Sequence, residues 1–160
     1  MDRETGVLAL LVVTMLAVLA AVYPILPANG ENFSELGVLG PGQKIADYPT
    51  AVVAGQQFTL YVYVGNHEGG AAYYQVLIKD GNQATVVSNS TFANLPPVLT
   101  SSLVLKDNSS TIFPVSLRMS TAGLNQRLIF ELWMLNSTTA GFAFTGLWNA
   151  LWLNVTAPSG

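Results

Sequence analysis

The sequence predicts a mainly β protein, an immunoglobulin-like β-sandwich of 7–8 strands that is preceded by one N-terminal transmembrane helix. Three observations support this fold class. No charged residue lies between Glu4 and Glu31, and most of that interval is apolar. The remainder consists of short runs in which β-branched and aromatic residues alternate with polar ones. Turn residues separate these runs at intervals of about 8–12 residues, which is typical of a sandwich.

The N-terminal apolar segment covers residues 6–27 and ends at Pro24 and Pro27. A helix of about 20 apolar residues is about 30 Å long, which matches the hydrocarbon core of a bilayer. We therefore expect a cytoplasmic N-terminus at 1–5, a transmembrane helix at 6–27 and an extracytoplasmic domain at 28–160. A cleaved signal peptide is the alternative, but such peptides have a basic N-terminus and a shorter apolar core.

The strand-like runs lie in the part of the chain that follows this segment. Gly-rich residues 65–70 are expected to form a hairpin loop, and Asp80 and Asp107 are interpreted as turn formers. A closed barrel is the alternative to a sandwich. The predicted strands are 33–39, 57–64, 72–79, 84–88, 99–105, 112–119, 127–135 and 151–155.

Composition excludes several classes of function. The chain has no cysteine, which excludes a disulfide, a thiolate metal site and a cysteine nucleophile. Its charged fraction is 9% with a net charge of −3 and no basic patch, so we expect no nucleic-acid partner. His67 is the only histidine, and the acidic residues lack calcium-loop spacing. We therefore expect no catalytic, cofactor-binding or metal-binding residues, and an enzyme that uses His67 is a minor alternative.

Five Asn-x-Ser/Thr sequons occur in the chain, whereas its 11 Asn and 24 Ser plus Thr would give roughly two by chance. They predict N-linked glycans and therefore export of the domain. The alternative is that Asn, Ser and Thr simply cluster in turns. The predicted acceptors are Asn32, Asn89, Asn108, Asn136 and Asn154.

Aromatic residues are dense on the strand faces opposite those predicted to be buried. Tyr and Trp favour interfaces, so these residues predict an interaction surface. The alternative is that both faces of the sheet are partly covered. The candidate residues are Tyr61, Tyr63, Tyr73 and Trp133, together with Trp148 and Trp152 near the C-terminus.

Three short motifs resemble a known family. They are Phe33-Ser34-Glu35-Leu36, the Asp47-Tyr48-Pro49 stretch and Asn66-His67-Glu68. In these motifs, and in its C-terminal part, the chain resembles the DUF1616 family of archaeal membrane proteins. The resemblance implies an archaeal source and an immunoglobulin-like domain, and it supplies no activity or catalytic residues. Many members carry several membrane helices, whereas one is predicted here.

These observations predict a non-enzymatic, single-pass cell-surface protein that mediates envelope or protein–protein contacts. Its expected partners are the lipid bilayer, N-linked glycans, and other membrane or envelope proteins or a second copy. One alternative is an accessory subunit of a larger archaeal membrane complex. Another is a pilin-like filament subunit, although no basic residue directly precedes Gly6 and no Glu lies early in the helix.

Overall fold

Eight β-strands make up the regular structure of the computed structural model, which describes residues 31–158. No helix that could span a bilayer occurs among these residues, and the predicted transmembrane helix at 6–27 lies outside them. The strands are β1 (Phe33–Leu39), β2 (Ala51–Val53), β3 (Gln57–His67), β4 (Ala72–Gly81), β5 (Pro97–Leu105), β6 (Ser109–Arg118), β7 (Gly123–Asn136) and β8 (Gly141–Thr156).

The strands form two sheets, a three-stranded sheet in the order β1-β3-β6 and a five-stranded sheet in the order β2-β8-β7-β4-β5. All pairs are antiparallel except β2 with β8. Immunoglobulin domains divide their A, B and E strands from their C, F and G strands in the same way. The predicted β-sandwich is therefore confirmed, with two open sheets instead of a closed barrel.

The core lies between the inner faces of the two sheets. Alternate residues of β3, β4 and β7 point into it, as expected for strands with one buried face. The predicted buried face of β7 is confirmed at Leu128, Phe130 and Leu132, while Met134 is partly buried. The other central side chains are Leu60, Val62, Val64, Tyr74, Val76, Ile78, Val115 and Leu117.

The outer face of β7 is also covered, because Ile129 and Glu131 are fully buried. Residues 82–96, which connect β4 to β5, cross this face and bury Ala93 completely. The prediction of a strand at 84–88 is therefore wrong. Asn82 bonds instead to the backbone and side chain of this segment, and Ser88 forms only an isolated bridge. Such local side-chain bonds compete with strand pairing.

Other observed strand boundaries also differ from the predicted ones, because pairing between strands overrides local turn propensity. The expected hairpin loop is shorter, since β3 continues through Gly65 and Asn66 to His67 and pairs with β1 and β6. Asp80 lies within β4 and does not form a turn. Strand β8 begins at Gly141, so its first half was not predicted, and neither was the three-residue β2.

A buried ion pair fixes the 82–96 segment to the sheet. Lys79 Nζ lies 2.7 Å from Glu131 Oε2 and donates to the Ala93 carbonyl at 2.6 Å. Glu131 Oε1 accepts the Ala93 amide at 2.5 Å, and Oε2 also accepts Trp133 Nε1 at 3.1 Å. The pair therefore satisfies both backbone groups of Ala93 as well as its own charges.

Lys79→Met should be strongly destabilising, because it leaves the Glu131 carboxylate buried without its cation. We expect the free energy of unfolding to fall by about 3–5 kcal/mol in denaturant titrations. Lys79→Met combined with Glu131→Gln removes both charges and keeps an acceptor for Ala93. The double variant should recover most of the loss, and a double variant as unstable as Lys79→Met would contradict this account.

Asp80 should make stability depend on pH. Burial raises the pKa of its carboxyl above the ordinary value of 3.8, although hydrogen bonds from Ser120 act in the opposite direction. The folded state therefore holds this proton more tightly than the unfolded state, and stability falls as pH rises from about 4 through the folded-state pKa. Asp80→Asn should be more stable than the wild type at pH 7, with the difference shrinking towards pH 4 in urea titrations.

Candidate functional site

The family-like motifs at Phe33-Ser34-Glu35 and Asn66-His67-Glu68 meet across one pair of strands. The antiparallel register places Phe33 opposite His67 and Ser34 opposite Asn66. We call these six residues the β1 clasp. It lies at the N-terminal end of β1, where the chain enters the sandwich.

Asn66 is the buried centre of the β1 clasp and has no exposed surface. Its Nδ2 donates to the carbonyls of Gly70 at 2.8 Å and Leu105 at 3.0 Å. Its Oδ1 accepts the Glu68 amide at 3.0 Å and the Tyr74 hydroxyl at 3.1 Å. Both donors and both acceptor positions of the amide are used, so Asn66 ties β3 to the following loop, to β4 and to β5.

Tyr74 and Ser34 extend this network to β1. The two hydroxyl oxygens lie 2.9 Å apart, and Ser34 donates to Glu68 Oε1 at 2.5 Å. The Tyr74 proton is thus available to either the Ser34 or the Asn66 oxygen. Burial raises the pKa of Tyr74, with the nearby Glu68 charge adding to the effect and the Ser34 hydrogen bond opposing it.

A second set of polar contacts, centred on Glu35, lies on the outer face of the three-stranded sheet. Tyr63 donates to Glu35 Oε2 at 2.6 Å, and His67 Nε2 lies 3.5 Å from the same oxygen. The bond to Glu35 is the main cause of the raised pKa of Tyr63. The Phe33 ring stacks on the imidazole with centroids 4.6 Å apart. A Cβ at Gly65 would collide with the Glu35 carboxylate, so glycine leaves the space for this group.

The third motif, Asp47-Tyr48-Pro49, binds the other end of β1. Tyr48 donates to the Val38 carbonyl at 2.7 Å, and its ring packs against the core. On the side of β1 that does not pair with β3, Asn149 Nδ2 donates to the Leu36 carbonyl at 3.0 Å. All three motifs therefore hold β1 in place.

The chemistry available at the β1 clasp is that of structural hydrogen bonding. Both ring nitrogens of His67 face partners, since Nδ1 lies 3.0 Å from Asn108 Oδ1 and Nε2 faces Glu35. Within residues 31–158, no group of three or more His, Cys, Asp or Glu side chains could hold a metal ion. The arrangement thus positions a strand through groups that bond to one another.

All five asparagines of the predicted sequons are exposed. Asn32 precedes β1, Asn89 lies in the 82–96 segment and Asn108 lies in the turn before β6. Asn136 ends β7, and Asn154 lies within β8. Each is accessible from the surface, and their glycosylation remains a prediction.

The six predicted interface aromatics do not form one surface. Tyr61 and Tyr63 lie on the outer face of the three-stranded sheet, and the other four lie on the outer face of the five-stranded sheet. Phe92 packs on Trp133 with centroids 5.0 Å apart. Trp148 donates to Asn89 Oδ1 at 3.2 Å, whereas Tyr73 and Trp152 are well exposed. The structure therefore brings four of the six to one face.

Of a row of four apolar side chains at one end of this face, sequence reasoning identified only Tyr73. Tyr73 pairs with Val104, Leu135 pairs with Phe142, and Tyr74 opposite Met134 aligns the two pairs. The rings of Tyr73 and Phe142 make an edge-to-face contact at 5.1 Å. We call these four residues the apolar row. Alternation along β5 could have indicated Val104, but the register between the strands is not readable from one sequence.

One family model matches the sequence. It describes a domain of unknown function, DUF1616, and it covers residues 27–148. The chain belongs to this family. The family predicted from the three motifs is therefore confirmed, whereas the archaeal source and the membrane anchor stay predictions, and the β1 clasp lies within the DUF1616 match. Among curated proteins, no sequence matches this chain.

Solved structures show only distant similarity to this DUF1616 protein. The CARDB domain of the PF1109 protein from Pyrococcus furiosus, crystallised with di-metal ions, has 10% identity and a TM-score of 0.49, covering 80% of this chain and 91% of that chain. Spo0M, a sporulation control protein from Bacillus subtilis, has 9% identity and a TM-score of 0.44, covering 78% of this chain and 50% of that chain. At this level of similarity, the fold assignment depends on the strand order and core described above.

Asn66→Ala should test whether the β1 clasp is structural. The variant leaves buried carbonyls and the Tyr74 hydroxyl without their partner, so the free energy of unfolding should fall by about 2–4 kcal/mol. His67→Ala removes only a partly exposed contact and should cost less than about 1 kcal/mol. Urea titrations followed by tryptophan fluorescence would measure both, and equal losses would contradict the proposed roles.

Proposed function

We propose that this DUF1616 protein is a membrane-anchored, N-glycosylated cell-surface protein without enzymatic activity, whose β-sandwich mediates contacts with envelope proteins or with a second copy. The observation that carries the proposal is the apolar row. Three of its four side chains are exposed: Val104 by 67%, Tyr73 by 38% and Leu135 by 38%.

The apolar row has the features of an interface centre. Its side chains come from four adjacent strands, so the hydrogen-bonded backbone of the sheet holds them on one face. An aromatic pair at the centre of such a patch can supply a large share of binding energy, while surrounding polar residues exclude water. Exposed apolar groups that are contiguous also mark interaction sites more often than scattered ones do.

The β1 clasp supports an anchored role. Strand β1 is the first element of the sandwich after the apolar segment at 6–27. Any force that a membrane anchor transmits would enter the domain at Phe33, where the β1 clasp binds the strand to both sheets. The exposure of all five sequon asparagines supports an exported domain, because a glycan requires an accessible acceptor.

Val104→Lys in the full-length chain should test the contact. A charge within the apolar row would have to be desolvated on binding, so copurification of partners from native membranes in mild detergent should fall at least about tenfold. Val86→Lys is the matched control, because Val86 is 71% exposed in the 82–96 segment, outside the apolar row. Thermal unfolding of both variants checks that the fold is retained.

Three results would change this proposal. Wild-type protein that purifies without partner or self-association would contradict a contact role. Copurification at fixed stoichiometry with other membrane proteins would favour the accessory-subunit alternative. Filaments in electron micrographs would favour the pilin-like alternative.

A further inference from the structure

We infer that Asn154 carries an N-linked glycan whose first sugar packs against the indole of Trp152. The inference rests on the proposed function, because it requires export to a compartment where glycans are added. It assigns one particular acceptor among the five sequons and gives that glycan a structural partner on the protein surface.

The strand geometry places both residues on one face. Successive side chains of a strand point to opposite faces, so Trp152, Asn154 and Thr156 share the outer face of β8. All three are exposed, while Leu153 and Val155 between them are buried. The acceptor Asn154, the sequon hydroxyl residue Thr156 and the aromatic residue two positions before the acceptor are therefore presented together to solvent.

The Asn154 side chain is oriented by a bond that glycosylation would preserve. Its Oδ1 accepts the Asn125 amide at 3.1 Å, and within residues 31–158 its Nδ2 donates to no other group. An N-linked sugar replaces one hydrogen of that Nδ2 and leaves Oδ1 unchanged. Asn108 differs, because its Nδ2 already donates to Asp107 Oδ2 at 3.0 Å.

Trp152 offers apolar surface for a sugar. Its side chain is 49% exposed. The guanidinium carbon of Arg127 lies 5.1 Å from the ring centroids of both Trp148 and Trp152, so the cation occupies the side of Trp152 towards Trp148. Asn154 follows Trp152 by two residues along β8, so it lies on the side of Trp152 away from Trp148.

The surroundings of Asn154 leave room for a sugar and favour its packing on the protein surface. Its partner on β2 is the small, exposed Ala51. A pyranose ring has a face of C–H groups that packs on an indole, while its hydroxyls remain hydrated. A glycan on Asn154 would thus cover the exposed part of the Trp152 side chain, which is otherwise in water.

Asn136 provides the matched control within the same chain. It is an exposed sequon asparagine at the end of β7, and its Oδ1 accepts the Thr138 amide at 2.9 Å. Two positions earlier, Met134 points towards the core instead of the surface. A glycan on Asn136 therefore has no aromatic partner at the position that Trp152 occupies relative to Asn154.

The test uses the full-length chain isolated from its native membranes. Glycopeptide mass spectrometry should find a sugar on Asn154. Thr156→Ala, which abolishes the sequon but keeps Asn154, and Asn154→Gln should each lower the Tm by about 3 °C, whereas Asn136→Gln should change it by less than about 1 °C. In a Trp152→Ala background, Thr156→Ala, which keeps the Asn154–Asn125 bond, should lower the Tm by less than about 1 °C, because the sugar has lost its partner.

The outcomes separate this inference from the function on which it rests. Modified asparagines elsewhere with an unmodified Asn154 would overturn the inference and leave the glycosylated surface protein intact. An exported chain with no modified sequon would overturn both. A modified Asn154 whose Tm effect persists in Trp152→Ala would overturn the packing of the sugar on the indole.

Discussion

The hydrogen bonds of the buried Asn66 amide are the constraint on which the entry end of the sandwich depends. They join the end of β3 to the following loop, to β5 and, through Tyr74, to Ser34 on β1. A buried amide is stabilising only if all its groups have partners, and here they do. The three-stranded and five-stranded sheets are thereby connected by directional bonds as well as by apolar packing between their inner faces.

This constraint gives the family motifs a physical meaning. Glu35 and His67 bond on the outer side of β1, Asn66 bonds on the inner side, and Tyr48 holds the far end of the strand. These contacts hold β1 against the rest of the sandwich. Strand β1 is the first strand of the sandwich, so these bonds fix the point at which the chain enters the domain.

The fold class and the inner-face residues of β3, β4 and β7 could be predicted because alternation is a local signal. The limits of β3 and β8 could not, since Gly65 and Asn66 favour turns until β1 and β6 supply strand partners. The Lys79–Glu131 pair was not predictable, because it joins residues 52 apart and lies beneath a segment that was predicted to be a strand. The motifs identified the family, but their contacts with one another required the register of β1 on β3.

Native-state hydrogen exchange of the β1 amides tests the central claim most directly. If the three motifs lock β1 into the sandwich, its amides should exchange only through global unfolding, with the same opening free energy as the central amides of β3 and β4. In Asn66→Ala, the β1 amides should exchange through a separate, lower-energy opening. Fast exchange of β1 in the wild-type chain, with β3 and β4 still protected, would contradict the account.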